Sequence, residues 1–103
     1  MKYKPLPDYL TIKKSNIHGF GIFAKKDVAN NTNLGLSHTI IKNPDLFIRT
    51  PLGGLLNHNS KNPNCKLIRD ITYPNLLFAF TTRHIKKGEE ITIKYTTYNP
   101  EEE

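Results

Sequence analysis

Two polar stretches of the chain carry side chains that could do chemistry. Residues 57–65 read Asn-His-Asn-Ser-Lys-Asn-Pro-Asn-Cys and directly follow an apolar run. Buried amides and imidazoles need hydrogen-bond partners. Taken alone, Asn57 and His58 therefore indicate a turn in which both side chains are hydrogen-bonded and have no further role. Residues 88–95 read Gly-Glu-Glu-Ile-Thr-Ile-Lys-Tyr and alternate like a half-buried strand that ends on Tyr95. A tyrosine there is usually a core residue with its hydroxyl at the rim.

The elements that must position these stretches are predicted to be short strands joined by tight turns. Residues 9–13 alternate, residues 21–24 and 39–41 are short apolar runs, and residues 66–71 and 76–80 flank the turn-like 73–75 as a hairpin. In the last strand, Ile91, Ile93 and Tyr95 are expected on one face, with Thr92 and Lys94 on the other.

Little helix is expected, because no helical period is sustained anywhere along the chain. One short exception is predicted. Residues 43–45 read Asn-Pro-Asp, which resembles a cap, a first-turn proline and an acid opening one helical turn over residues 46–48. The sequence therefore predicts a small, mostly β domain.

Length and composition exclude several classes of protein. The 103 residues suffice for one domain with a thin core, and no apolar run is long enough to span a membrane. No apolar segment follows the basic first residues, so an intracellular protein is expected rather than a secreted one. Cys65 is the single cysteine, which excludes an internal disulfide, and it is expected to be a small buried apolar residue.

The formal net charge is +6, and lysines outnumber arginines twelve to three. The electrostatic field of such a charge attracts acidic partners, but arginine recognises phosphates and bases better than lysine does. The charge is therefore weak evidence for nucleic-acid binding. No metal is expected, because the spacings of the histidines and Cys65 match no ligand pattern.

Three motifs of the chain occur in the order found in one family. They are Gly19-Phe20-Gly21, the Asn57-His58 pair with Pro63-Asn64-Cys65, and the Gly-Glu-Glu stretch ending on Tyr95. The chain resembles the SET-domain protein lysine methyltransferases over about residues 10–98, and its compactness resembles their minimal viral and bacterial members. This implies a small fold of the β-clip type, with short strands in several small sheets. It also implies a pseudoknot-like arrangement in which the C-terminal segment passes beneath the Asn57-His58 loop. Residues 1–9 would be an N-terminal arm and residues 99–103 an acidic tail.

The resemblance implies transfer of a methyl group from S-adenosylmethionine to the side-chain amine of a lysine in a protein. Tyr95 would be catalytic, and Tyr98 would supply a second hydroxyl or a channel wall; a surface position suits Tyr98 equally. The implied cofactor-binding residues are His18, Gly19, Phe20, Gly21, Asn57, His58 and Tyr95. Phe20 could instead fill the core.

The sequence departs from the family in two places that bear on activity. Four residues separate His58 from Pro63, one more than is usual, and the span from Ser37 to Gly54 is short for the insert that shapes the substrate groove. A homodimer could supply the missing wall.

Two alternatives therefore stay open beside the enzyme: a SET-like module that binds without catalysis, and a basic β domain that binds nucleic acid. For the enzyme, the expected partner is a protein or peptide lysine substrate, histone-like or other, with no membrane and no requirement for nucleic acid. The expected place is the bacterial cytoplasm or the host compartment of a virus.

Overall fold

The computed structural model describes residues 6–42, 46–59 and 61–94. These residues form eight strands and one short helix. The elements are β1 (Leu10–Lys14), β2 (Phe20–Ala24), β3 (Asn33–Lys42), β4 (Leu46–Arg49), α1 (Pro51–Leu55), β5 (Asn57–His58), β6 (Cys65–Arg69), β7 (Leu76–Thr81) and β8 (Glu90–Ile93). The prediction of a mostly β domain with little helix is confirmed.

The strands form one path in the order β1-β2-β8-β6-β7-β3-β4, and β5 pairs with β8 beside this path. β8 lies between the N-terminal hairpin and the middle of the chain. It runs antiparallel to β2, with Ile22 opposite Ile91, and parallel to β5 and β6. Because β5 holds Asn57 and His58, this pairing brings the two polar stretches of the sequence side by side.

The central place of β8 explains one wrong prediction. Ile91 and Ile93 are fully buried as expected, but Thr92 is also buried, with 4% of its surface exposed. The strand is therefore not half-buried. Asn64, which precedes β6, lies against this residue, since its side-chain oxygen accepts from Thr92 N–H at 2.9 Å. The alternating sequence of β8 therefore does not indicate a solvent-facing side.

The predicted helical turn over residues 46–48 is also wrong. These residues belong to β4, which pairs antiparallel with β3 and sets Ile48 opposite Thr39 and Phe47 opposite Ile40. β-branched and aromatic side chains fit such a ladder, and this long-range pairing outweighs the local cap signal. Residues 43–45, which carry that signal, lie outside the described residues.

The described helix is α1, which the sequence did not predict. Thr50 caps it, since its side chain accepts a hydrogen bond from the Gly53 backbone, and Pro51 occupies the first turn. Threonine followed by proline is a helix-start signal. The signal was obscured because Gly53 and Gly54 are poor helix formers.

The core consists of aliphatic side chains from both ends of the chain together with Cys65, of whose surface 2% is exposed. Burial raises the pKa of the Cys65 thiol to about 12, although the charge of Arg83 opposes this shift. The thiol is thus neutral at physiological pH, and the prediction of a buried, apolar cysteine is confirmed.

The two glycines of α1 are expected to respond oppositely to replacement by alanine. A Cβ on Gly53 would overlap the Ser37 backbone oxygen, whereas one on Gly54 would meet no atom within 4 Å. Gly53→Ala should lower the free energy of unfolding by about 1–3 kcal/mol, as overpacking does. Gly54→Ala should raise it by up to about 1 kcal/mol, because alanine loses less entropy in a helix. Urea denaturation measures both; equal effects would contradict this packing.

His38 on β3 is a buried titratable side chain with no exposed surface. Its Nδ1 lies 2.7 Å from the Ser37 hydroxyl oxygen, and the Phe47 ring meets the imidazole edge-on at a centroid distance of 5.2 Å. Burial, with a smaller effect of the Arg49 charge, lowers the pKa of His38 from 6.5 to about 4. The native protein therefore holds this imidazole neutral at pH 7.

Acidification should consequently destabilise the protein between pH 6.5 and pH 4. In that window the unfolded chain protonates His38 and the folded chain does not, so the free energy of unfolding falls by up to about 3 kcal/mol as the pH drops. The contribution is constant above pH 6.5 and levels off below pH 4. The free energy of unfolding should be measured by urea denaturation at several pH values in this range. It should change less with pH for His38→Gln than for the control His84→Gln, which replaces an exposed histidine. Identical slopes would remove His38 as the cause.

Candidate functional site

The connection from β1 to β2 is a tight turn whose outer side is open. Ser15 N–H donates to the Gly19 carbonyl at 2.7 Å, and the Ser15 hydroxyl accepts from the backbone of Ile17 at 2.9 Å. Gly19 has φ +47°, and a Cβ there would meet nothing within 4 Å. A left-handed backbone favours glycine, so Gly19 is needed for the conformation and leaves free space beside it.

Phe20 follows this turn and points away from the protein, with 62% of its surface exposed. Successive side chains on a strand face opposite sides, so Phe20 lies outside while Gly21 lies inside. The alternative in which Phe20 fills the core is therefore wrong. An exposed aromatic face beside an open turn is available to a flat ligand.

Gly21 is constrained from within the protein. A Cβ at this position would overlap the Glu90 carboxylate and lie 2.9 Å from Asn57 Nδ2. Both side chains thus pack directly on the Gly21 backbone. The structure thus explains why residue 21 is a glycine, which the sequence did not suggest. Because glycine has no Cβ, the Glu90 and Asn57 side chains have room to pack on its backbone.

The Asn57 amide connects three segments of the chain. Its Nδ2 lies 3.2 Å from the His18 carbonyl, 3.3 Å from the Phe20 carbonyl and 2.7 Å from Glu90 Oε2, and its two N–H groups are shared among these acceptors. The backbone of β5 pairs in parallel with β8, so that Asn57 lies opposite Thr92. Asn57 therefore fixes the glycine turn against the strand that leads to Tyr95.

Glu90 is the site residue that sequence reasoning missed. Its carboxylate accepts a hydrogen bond from the Ser15 hydroxyl, whose oxygen lies 2.8 and 2.9 Å from the two carboxylate oxygens, and another from Asn57. Ser15, Glu90 and Asn57 thus form one hydrogen-bonded network behind the turn. The available signal was the Glu90 carboxylate at the start of a predicted strand. In that stretch, residues 88–95, the sequence reasoning assigned a role to Tyr95 alone.

His58 lies at the end of β5, with its backbone opposite Ile93 and its side chain exposed. The next residue continues this contact, since Asn59 N–H donates to the Ile93 carbonyl at 2.9 Å. The structure thus places the turn of residues 18–21 against Asn57, and Asn57 and His58 beside β8.

The extra residue between His58 and Pro63 is accommodated in a turn. The Asn59 side-chain oxygen accepts from the backbone of Lys61 and of Asn62, both at 3.1 Å. At the far end Asn64, with 2% of its surface exposed, accepts from Thr92 N–H at 2.9 Å and donates to the Glu90 carbonyl at 2.8 Å. Both ends of the loop are therefore bonded to β8 despite the added length.

Tyr95 and Tyr98 lie outside the described residues. β8 ends at Ile93, opposite His58, and Tyr95 is two residues further along the chain.

Among residues 6–42, 46–59 and 61–94, no group of three or more histidine, cysteine or acidic side chains could hold a metal ion. Nor does any helix within these ranges have the length and apolar character needed to cross a membrane.

Comparison with known proteins agrees with this geometry. The SET domain family matches residues 39–96, which is more than half of the chain. The chain therefore belongs to the SET-domain family. The fold is similar to the crystal structure of a candidate histone methyltransferase of Plasmodium falciparum, with a TM-score of 0.66 and 22% sequence identity over 86% of this chain and 94% of that one. A search of curated proteins gave no match.

The small, mostly β SET-like fold expected from the resemblance is thus confirmed. The expectation of several small sheets is wrong, since the described strands join in one eight-stranded sheet. The passage of the C-terminal segment beneath the Asn57-His58 loop stays a prediction. The family match contains Asn57, His58, Glu90 and Tyr95, whereas the glycine turn precedes it. The contacts of Asn57 join the matched and unmatched parts of the site.

Proposed function

We propose that the protein transfers a methyl group from S-adenosylmethionine to the side-chain amine of a lysine in a protein substrate. The observation that carries this proposal is the placement of Asn57, since its amide ties the Gly19 turn to Glu90 at the start of β8, which is distant from that turn in sequence. In a SET-domain chain this arrangement joins the predicted cofactor residues to the strand that leads to Tyr95.

The residues present fit the cofactor. The turn at Gly19 has free space where a side chain would stand, and Phe20 offers an exposed aromatic face beside it. The carbonyls of His18 and Phe20 are fixed by the Asn57 amide. His18, Gly19, Phe20, Gly21, Asn57, His58 and Tyr95 would hold the cofactor. When bound, it supplies a methyl group on a positively charged sulfur.

The protein's own task is to position and neutralise the lysine amine. Free lysine has a pKa of about 10.4 and is protonated at neutral pH, so it must lose its proton before it can attack. Desolvation in a narrow channel favours the neutral amine. The Tyr95 hydroxyl would orient that amine in line with the transferred group, and alignment of this kind dominates such displacements. Tyr98 would supply a second hydroxyl or a wall.

The proposed substrate is a lysine-containing protein segment, histone-like or other. Among its described residues, the span from Ser37 to Gly54 holds the second half of β3, the short strand β4 and most of α1. So small an insert offers little groove, which supports a second copy of the chain as the remaining wall. The number of methyl groups transferred would depend on the channel walls.

Isothermal titration with S-adenosylmethionine, followed by incubation of labelled cofactor with a library of lysine peptides, tests the proposal. We expect micromolar-range binding and label on lysine Nε, identified by mass spectrometry. Binding without transfer to any peptide or protein would favour the alternative of a non-catalytic module. No binding would overturn the proposed cofactor site.

A further inference from the structure

The Glu90 carboxylate is a negative charge held beside the proposed cofactor site. Its Oε2 lies 2.7 Å from Asn57 Nδ2, and the Ser15 hydroxyl oxygen lies 2.8 and 2.9 Å from its two oxygens. Both oxygens therefore face hydrogen-bond donors, as suits an ionised carboxylate. The same carboxylate packs on the Gly21 backbone, where a Cβ would overlap it. Its position is thus fixed by contacts with Asn57 and Gly21, two of the residues that would hold the cofactor.

No ion pair neutralises the Glu90 charge within the part of the chain that the structure describes. Its hydrogen-bond partners, Ser15 and Asn57, are neutral, and the ion pairs formed among the described residues involve other carboxylates. Lys13, two strands away on β1, has its ammonium over the Phe23 ring, 6.0 Å from the ring centroid. Glu90 is half-buried, so solvent screens its charge less than that of a fully exposed carboxylate.

The cofactor of the proposed reaction and its product differ by one positive charge. S-adenosylmethionine and S-adenosylhomocysteine share the adenosine, the ammonium and the carboxylate, but the product lacks the methyl group and the charge on sulfur. In the transfer, the lysine lone pair forms the new N–C bond and the electrons of the broken C–S bond return to sulfur. The positive charge passes to the lysine nitrogen, which afterwards releases a proton. A fixed negative charge beside the site therefore distinguishes cofactor from product.

We propose that Glu90 is a specificity-determining residue whose negative charge makes the site prefer S-adenosylmethionine to S-adenosylhomocysteine. This role rests on the proposed methyl transfer. A ligand that contacts Asn57 is separated from the carboxylate only by the Asn57 amide, which is well within the Debye length of about 10 Å at 0.1 M salt. The attraction is lost with the charge on sulfur, so Glu90 favours the exchange of product for fresh cofactor.

A purely structural role for Glu90 is the alternative, because the same carboxylate holds Ser15 and Asn57 in place. The two roles differ in their effect on ligand affinity. Loss of a structural support weakens the binding of every ligand of the site by a similar factor. Loss of a charge changes the ratio of the affinities for charged and neutral ligands. This ratio is therefore the quantity that separates the two roles.

Isothermal titration with S-adenosylmethionine, S-adenosylhomocysteine and sinefungin measures the ratio. Sinefungin has an amine-bearing carbon in place of the methylated sulfur, so it keeps a positive charge without a sulfonium. Glu90→Gln should weaken both charged ligands about two- to thirtyfold relative to S-adenosylhomocysteine, as expected for one unit charge at about 8 Å with an effective dielectric constant of about 20–80. Glutamine keeps the shape of the side chain and can still bond to Ser15 and Asn57, so the fold should be retained.

Two matched variants serve as controls. Glu89→Gln removes the same charge from the neighbouring residue, whose carboxylate pairs with Arg83 at 3.3 Å, and it should leave the affinity ratio unchanged. Ser15→Ala removes a hydrogen bond to Glu90 but keeps the charge, so any loss of affinity should be equal for the three ligands. Added salt should reduce the preference for charged ligands more in the unmodified protein than in Glu90→Gln, because salt screens charges.

An equal loss of affinity for all three ligands in Glu90→Gln would show a structural role only and would overturn the proposed specificity. Weaker binding of S-adenosylmethionine with unchanged binding of sinefungin would assign the preference to contacts with the methyl group, which also overturns it. Equal changes of the ratio in Glu89→Gln and Glu90→Gln would make net charge responsible instead of Glu90. Binding of none of the three ligands by the unmodified protein would count against the proposed function itself, and the role of Glu90 would fall with it.

Discussion

Replacing Tyr95 with phenylalanine is expected to slow methyl transfer by about 10²–10³-fold, which is the usual effect of removing one positioned hydrogen-bonding group from an active site. The aromatic ring is kept, so stability should change little. The Tyr95 hydroxyl is proposed to orient the neutral amine, a role that phenylalanine cannot fill. Single-turnover rates with saturating S-adenosylmethionine measure the effect on the transfer step itself.

The matched control is Tyr73→Phe, which removes a hydroxyl from an exposed tyrosine in the β6–β7 turn. It should transfer methyl groups at the original rate. Cofactor affinity, measured by titration, should be retained within a few-fold in both variants. An unchanged single-turnover rate for Tyr95→Phe would exclude this hydroxyl from the mechanism.

Replacing Asn64 with alanine is expected to lower the free energy of unfolding by about 2–4 kcal/mol. The Asn64 side chain pairs with Thr92 N–H and with the Glu90 carbonyl, and 2% of the residue's surface is exposed. Its loss leaves two buried backbone groups without partners, at a cost of about 1–3 kcal/mol each before relaxation. Urea denaturation at pH 7 measures the change.

Asn62→Ala provides the comparison, because Asn62 belongs to the same loop but is exposed, and its recorded hydrogen bond uses the backbone. Its effect should stay within about 0.5 kcal/mol. Similar stabilities for the two variants would show that the loop is not held to β8 through the Asn64 amide. The explanation of how the extra residue is tolerated would then fail.

The sequence predicted those parts of the fold that depend on local pattern. The β6–β7 hairpin was predicted from a turn between apolar runs, and β8 from an apolar alternation after Gly88. β4 was not predicted, because its stability comes from pairing with β3 and its local sequence resembles a helix start. Thr92 was misplaced for a related reason, since its burial depends on strands distant in sequence.

The candidate site shows the same division. The family resemblance named Gly19, Asn57 and Tyr95, and the structure adds the reason for Gly19, which is its left-handed backbone. Glu90 was missed because a carboxylate on a strand carries no local sign that it will meet Ser15, 75 residues away. The role of Gly21 could not be predicted from the sequence either, because it depends on the contacts of Glu90 and Asn57 with the Gly21 backbone.

The central claim is that this SET-domain chain moves a methyl group from S-adenosylmethionine to a lysine amine. The most direct measurement is a single turnover with methyl-labelled cofactor and a lysine peptide, in which the label on the peptide and the S-adenosylhomocysteine formed are both quantified. The account predicts equal amounts of the two products, with the label on lysine Nε, and formation of both products slowed by about 10²–10³-fold in Tyr95→Phe. Label on another type of side chain, or cofactor bound with no label transferred to any lysine, would contradict it.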